Sequence, residues 1–338
     1  MVVPTDAASN TLQIISQTLP SPSKGDSMPE ALFLHVIAAV QSQLNISSQP
    51  YITITHAVPP RFDLLNLPSS PPSTPMVSAT GEEDYFTQSI FAHAAIVPAH
   101  HVSESTDTPT PILPTPIVPP SSVHISALER YIPPSSEQEG RELCDLLGHS
   151  PLVDRLTELS ARDGTMLFVY PTKTGGETFL HKYIDPILGR LLRSLVTMHQ
   201  LSYDLARSLN IMSAIAHMAE FSQLKSNVSV LCDQMSDKVT FHDRPSRYRL
   251  VHACKGKVAL GRRTWTDWYL NQEHGRFKRT LNDYWSRGKL LSQVESATSG
   301  SVLREFIDGV KHMTPGEAEH VGAGIEVGVF AIRRTLTI

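Results

Sequence analysis

Between Met28 and Leu44, Leu32, Val36, Val40 and Leu44 recur at every fourth position with Ile37 beside them, and Pro29 stands where a first helical turn tolerates it. This pattern predicts a helix. Tyr51 to His56 alternates β-branched residues and stops ahead of Pro59-Pro60, which reads as a strand leaving into a loop, and Ser89 to Val97 is apolar enough for another. From Val123 the signals become regular. Val123 to Leu128 predicts a strand, Pro133-Pro134-Ser135 opens a helix running to Leu147, and Pro151 to Ser160 sets Leu152, Val153, Leu156 and Leu159 on one helical face. Arg162-Asp163-Gly164 stops that helix, with the glycine expected as its left-handed cap. The short apolar run Met166 to Tyr170, ended by Pro171, predicts a strand buried on both faces.

A long helical pattern then carries Phe179, Leu180, Tyr183, Ile187, Leu188, Leu191, Leu192 and Leu195, and Pro186 is expected to kink or divide it. Further helix from Tyr203 to Met235, a strand at Tyr248 to Ala253, helices at Trp265 to Trp285 and Val302 to Lys311, and a strand at Ile325 to Arg333 complete the series. Helices alternating with buried strands predict an α/β protein with a mostly parallel sheet covered on both faces.

Composition divides the chain. Of 25 prolines, 14 fall between Pro50 and Pro120, whereas 16 of 18 glycines lie at Gly140 or later, so the two regions follow different backbone rules. The reading is a disordered tail over residues 1–27, then a helix and two strands over 28–120 with Pro/Ser-rich insertions at Leu67 to Ala79 and Ser103 to Ser122, and one α/β domain over 121–338. The 28–120 strands join the main sheet, form a small separate layer, or do not form at all. The polar N-terminus lacks a secretory pattern and no 18-residue apolar stretch occurs, while Cys144, Cys232 and Cys254 are far apart without a CxxC. The expectation is a cytoplasmic or nuclear protein with reduced thiols and no membrane partner.

The stretch from Val153 to Gly175, an amphipathic helix, a turn at Gly164, the strand Met166-Leu167-Phe168-Val169-Tyr170 and then Pro171 with its loop, resembles the fifth-strand region of class I S-adenosylmethionine-dependent methyltransferases. Val123 to Leu128, with Glu129 and Tyr131 at its carboxyl end, is similar to that family's fourth strand and substrate-side loop. Tyr248 to Ala253 and Ile325 to Arg333 look like its final antiparallel pair. The resemblance implies a Rossmann-like fold and S-adenosylmethionine as cofactor. The chain departs from the family at the acidic residue and glycine-rich turn that should follow the first strand: neither Tyr51 to His56 nor Ser89 to Val97 runs into one, and Glu82-Glu83-Asp84 precedes its strand. A degenerate, non-catalytic relative therefore stands beside an enzyme.

Three groups of residues are candidates for chemistry. Glu129 and Tyr131, with Arg130 between them, could supply an acid or base at the sheet's ligand edge, or be a solvated strand end. Thr172, Lys173, Thr174, Gly175 and Gly176 lie just beyond a buried strand, where open α/β sheets bind ligands; their amides could hold an anion, or form only a strand-to-helix turn. From Asp243 to Lys289 twelve Lys and Arg stand against four acids in a chain of net charge −4. Within that stretch Arg262, Arg263, Trp265 and Trp268 could meet a protein or nucleic-acid partner by phosphate contact and stacking, or the aromatics could pack inward. No HExxH, facial-triad spacing or Cys/His cluster supports a metal, with His93, His100 and His101 reading as a loop cluster, and Gly322, Gly324 and Gly328 do not lead a strand into a helix.

Overall fold

The computed structural model describes residues 11–19, 32–43, 51–58, 91–98, 117–148, 150–238, 240–241, 244–288, 298–312 and 324–337. The insertion at 67–79 and most of that at 103–122, together with His100, His101 and Gly322, lie outside the described residues. Strands β1 (Thr11–Leu19), β2 (Tyr51–Val58), β3 (Phe91–Pro98), β4 (Ile125–Arg130), β5 (Arg162–Pro171), β6 (Thr240–Phe241), β7 (Arg244–Val258) and β8 (Ile325–Leu336) form one sheet in the order β3-β2-β1-β4-β5-β8-β7-β6. The first five strands in that order are parallel; β8 runs antiparallel to both its neighbours, β5 and β7. The strands predicted at 51–56 and 89–97 therefore belong to the main sheet, and the terminal pair is antiparallel as expected.

The largest difference from the sequence reading is at the N-terminus. Thr11–Leu19, placed there in a disordered tail, is a central strand hydrogen-bonded to β2 on one side and β4 on the other. Its polar residues hide it: Ser16 and Gln17 are buried beside Ile14 and Ile15, so no apolar run marks the strand, and pairing with two neighbours overrides its weak local signal. The helix α1 (Leu32–Gln43) follows β1 and packs Ile37 and Val40 on Ile14, Ile52 and Ile54, a small core separate from the main one.

Between β4 and β5 lie α2 (Glu137–Glu142), shorter than predicted and capped by Ser136, and α3 (Pro151–Glu158), whose N-cap Ser150 accepts from the Leu152 amide. The turn after α3 needs a left-handed residue, but that residue is Asp163 (φ 60°). Gly164 is required for a different reason: a Cβ there would sit 2.5 Å from the Ser160 carbonyl oxygen.

Helices α4 (Lys173–Thr178) and α5 (Asp185–His199) are joined by a π-helical turn over Phe179–Ile184, which resolves the predicted division at Pro186 by leaving the proline in the first turn of α5. The region predicted as one helix over 203–235 is α6 (Tyr203–Asn210), a 3₁₀ turn at Ser213–His217 and α7 (Phe221–Lys238). Helices α8 (Arg262–Gly288) and α9 (Ser299–His312) complete the fold. Among the described residues no helix is long and apolar enough to cross a membrane.

Candidate functional site

The chain leaves β1 toward β2 and β3 on one side, while β4 and β5 lie on the other, so the direction of winding reverses between β1 and β4. Ligands of open α/β sheets bind outside the carboxyl ends of such a strand pair. On the β4 side this position holds Glu129, Arg130 and Tyr131, all three of them buried. Tyr131 donates its phenol proton to Glu129 Oε2 at 2.6 Å and stacks on Trp268 of α8, with ring centroids 5.9 Å apart and planes 14° from parallel. Burial, and then the adjacent Glu129 carboxylate, push the phenol far above its ordinary range, so it stays a neutral donor. Arg130 is equally engaged: Nε donates to the Ile132 carbonyl, Nη1 pairs with Glu139 of α2, and Nη2 donates to Gln272 Oε1 of α8 at 2.6 Å. Gln272 in turn donates to the Pro133 carbonyl. The carboxyl end of β4 is thus tied to two helices by part-buried, charge-assisted bonds.

The second candidate, Thr172 to Gly176, is a packing joint. The Thr172 amide donates to Glu326 O at 3.1 Å, the Lys173 amide to Ala219 O at 2.9 Å, the Gly175 amide to Thr172 Oγ1 at 3.1 Å and the Gly176 amide to Thr172 O at 2.8 Å. Thr172 Oγ1 also reaches Glu326 Oε1 at 2.9 Å, and Thr174 Oγ1 bonds Glu220. A Cβ on Gly175 would lie 2.0 Å from the Glu326 carbonyl oxygen, and one on Gly176 would lie 3.0 Å from Met218 Sδ. The glycines let α4 touch β8 and the 3₁₀ turn. Four of the five backbone amides of this segment, those of Thr172, Lys173, Gly175 and Gly176, donate to acceptors within the protein.

The aromatic residues of α8 also point inward. Trp265 and Trp268 are 3% and 1% exposed, and Trp265 lies edge-on to Phe179 and Tyr183. Arg262 lies 4.7 Å over the Trp265 ring and donates to the Val310 carbonyl at 2.7 Å, while Arg263 is exposed. Helical spacing puts residues 265, 268 and 269 on one face, and that face is core. Stacking of a partner on these tryptophans is therefore not available in this packing.

Two polar features escaped the sequence reading. Arg155 and Glu158 of α3 form a buried ion pair at 2.6 Å, with side chains 2% and 1% exposed. Glu158 Oε1 also accepts from the Ile117 amide at 2.6 Å, and Arg155 Nη1 reaches Gln17 Oε1 of β1 at 3.4 Å. Only the three-residue spacing of opposite charges on a predicted helix signals this pair. The other feature is a cavity of about 120 Å³ at the carboxyl end of β5, lined by Tyr170, Pro171, Cys144, His217, Met218 and Asn227 among others. The Tyr170 hydroxyl is buried with no hydrogen-bond partner among the described residues. Burial pushes the Cys144 thiol up to about 12, so it is not a thiolate nucleophile near neutral pH. Among the described residues no three His, Cys, Asp or Glu side chains converge as a metal site.

No family model matches this chain, and no curated protein matches it by sequence. Among solved structures it is similar to a loganic acid methyltransferase with SAH, at a TM-score of 0.51 and 12% identity, over 96% of this chain and 85% of that one. At that identity the likeness concerns the fold, and the fold is methyltransferase-like.

A cofactor of the S-adenosylmethionine type would need, by the family resemblance, an acid and glycines just after the first strand. With β1 assigned, the sequence that follows it is Pro20-Ser21-Pro22-Ser23-Lys24-Gly25-Asp26, which is not a glycine-rich turn. The carboxylate described at the crevice, Glu129, is fully buried and already receives the Tyr131 phenol. Residues 20–31, where the family resemblance would put that turn, lie outside the described residues, and their sequence carries a single glycine, Gly25.

Proposed function

We propose that this protein is a degenerate methyltransferase-like protein, which keeps the fold and acts by binding rather than by methyl transfer. The observation that carries this reading is the state of Glu129. The carboxylate at the carboxyl end of β4, where an acid or base would act on a ligand, holds Tyr131 at 2.6 Å under the Trp268 ring and is 0% exposed. A general base must lie within hydrogen-bond reach of the proton that it takes; Glu129 is wholly buried, and its Oε2 is engaged by an internal phenol. The committed amides of Thr172 to Gly176 support the same reading. The competing reading, an active S-adenosylmethionine-dependent enzyme, draws its support from the solved neighbour that contains SAH.

Thermal denaturation of the full chain with S-adenosylmethionine and with S-adenosylhomocysteine separates the two. A ligand present at about 100 times its dissociation constant adds roughly 2.7 kcal/mol to the folded state. The proposal expects no saturable shift up to millimolar ligand. A saturable rise in Tm that Glu129→Gln reduces would establish a working cofactor site and overturn it.

A further inference from the structure

At the edge of the sheet opposite the crevice, four arginines share one face. The cross-strand rows Arg162–Thr335–Arg247 and Thr165–Arg333–Arg249 lie next to each other on β5, β8 and β7. All four arginines are exposed, and Thr165 and Thr335 between them are half-buried. The alternate residues Tyr248 and Arg334 point to the other face, where Arg334 donates to the Leu159 carbonyl of the α3 terminus. Among the described residues none of the four arginines forms an ion pair with a carboxylate. The nearest acid in sequence, Asp163, is exposed, and its backbone carbonyl accepts from the Thr165 hydroxyl.

Charged residues often guard a sheet edge against pairing with another chain, and β7 is covered at its outer edge only by the two-residue β6. Guarding accounts for Arg247 and Arg249. It does not account for Arg333, which lies on the interior strand β8, nor for Arg249 and Arg333 standing directly opposite, an arrangement that destabilises a sheet unless an anion joins it. The patch spans three strands, about 10 Å, and one side-chain step of about 7 Å along them. That is the width of one polymer backbone rather than of a lipid surface. The guanidinium fork matches phosphate oxygens in pairs.

We infer that this face binds the phosphodiester backbone of single-stranded nucleic acid. The surface differs from the helix α8 that sequence reading favoured, because there the aromatic partners are core. It is independent of the proposed loss of methyl transfer, since it lies at the amino end of β5. The four arginines and two threonines include no aromatic ring, so binding is insensitive to base identity.

The test is fluorescence anisotropy of the full chain with labelled dT20 and dA20 over a potassium chloride series. Four neutralised phosphates give a slope of log Kobs against log salt near −3, at about −0.7 per phosphate, so that affinity falls about 50-fold between 50 and 200 mM salt. Arg249→Ala/Arg333→Ala should halve the slope and reduce that fall to about sevenfold, with thermal stability kept or raised. The pair Lys278→Ala/Arg287→Ala on exposed parts of α8 should leave the slope unchanged. Absence of binding at 20 mM salt, an equal loss in the α8 variant, or capture by phosphatidylserine vesicles but not by dT20 would each overturn the inference.

Discussion

Replacing Gly175 with alanine tests whether residues 172–176 are a packing joint or an anion cradle. The new Cβ would start 2.0 Å from the Glu326 carbonyl oxygen, against ordinary contact beyond 3.4 Å. The obstacle is strand backbone, which cannot swing aside as a side chain can. Relief requires α4 to retreat from β8 by more than an ångström, which breaks the Thr172 amide bond to Glu326 O (3.1 Å) and the Thr172 hydroxyl bond to Glu326 Oε1 (2.9 Å). Overpacking of this kind costs about 1–3 kcal/mol, and two lost hydrogen bonds add about 1 kcal/mol each. The expected loss is about 3–5 kcal/mol, a fall in Tm on the order of 10 °C. Gly176→Ala should cost less, because its Cβ would meet the flexible Met218 thioether at 3.0 Å, and Lys173→Ala should stay within about 0.5 kcal/mol. Urea denaturation of the three variants measures the order. A stable Gly175→Ala protein, or a Lys173→Ala protein that loses an anion-dependent stabilisation present in the parent, would refute the packing account.

Three further outcomes follow from buried polar groups. Glu158→Gln should cost about 3 kcal/mol in urea denaturation, because it leaves the Arg155 guanidinium, 2% exposed, with an uncharged partner; a loss under 1 kcal/mol would show that the pair is not isolated from water. Tyr170→Phe removes a buried hydroxyl that lacks a partner among the described residues, and should be neutral or stabilising by up to about 1 kcal/mol. A loss above 1 kcal/mol would mean that the cavity beside it holds a bound partner for that hydroxyl. Burial lowers the pKa of His56 and of His124 below the ordinary 6.5, so folding favours the neutral rings, and the His124 Nδ1 that accepts the Gln13 amide at 3.1 Å must be unprotonated. Their contribution is present above pH 6.5 and is lost as pH falls toward the lower folded values, at no more than about 1.4 kcal/mol per pH unit for each. His124→Asn should flatten part of that slope, and an identical slope would sink the assignment.

The elements legible in sequence were those whose partners matter least. Met166 to Tyr170 is apolar throughout because both faces are covered, and α8 shows its buried face through the spacing of Trp265, Trp268 and Tyr269. β1 was hidden because Ser16 and Gln17 are buried polar residues; Gln17 accepts from Arg155, a contact set by the fold and not by local pattern. The same limit applies at the site. Glu129 and Tyr131 were identifiable as a strand end, but the Trp268 ring that closes over Tyr131 arrives from α8, far along the chain. The glycines of 172–176 were visible, whereas the acceptors that commit their amides come from Glu326, Ala219 and the Thr172 cap. Arg333 was visible only as the end of a strand, and it is strand register that sets it opposite Arg249.

Amide hydrogen exchange of the full chain, with and without saturating S-adenosylhomocysteine, tests the central claim most directly, because it reports the sheet and its crevice together. The account predicts slow exchange at residues 12–18, as in a central strand paired on both sides, and no change at residues 129–132 on adding the ligand. Fast exchange at 12–18 would contradict the fold, and ligand-dependent protection at 129–132 would contradict the loss of the cofactor site.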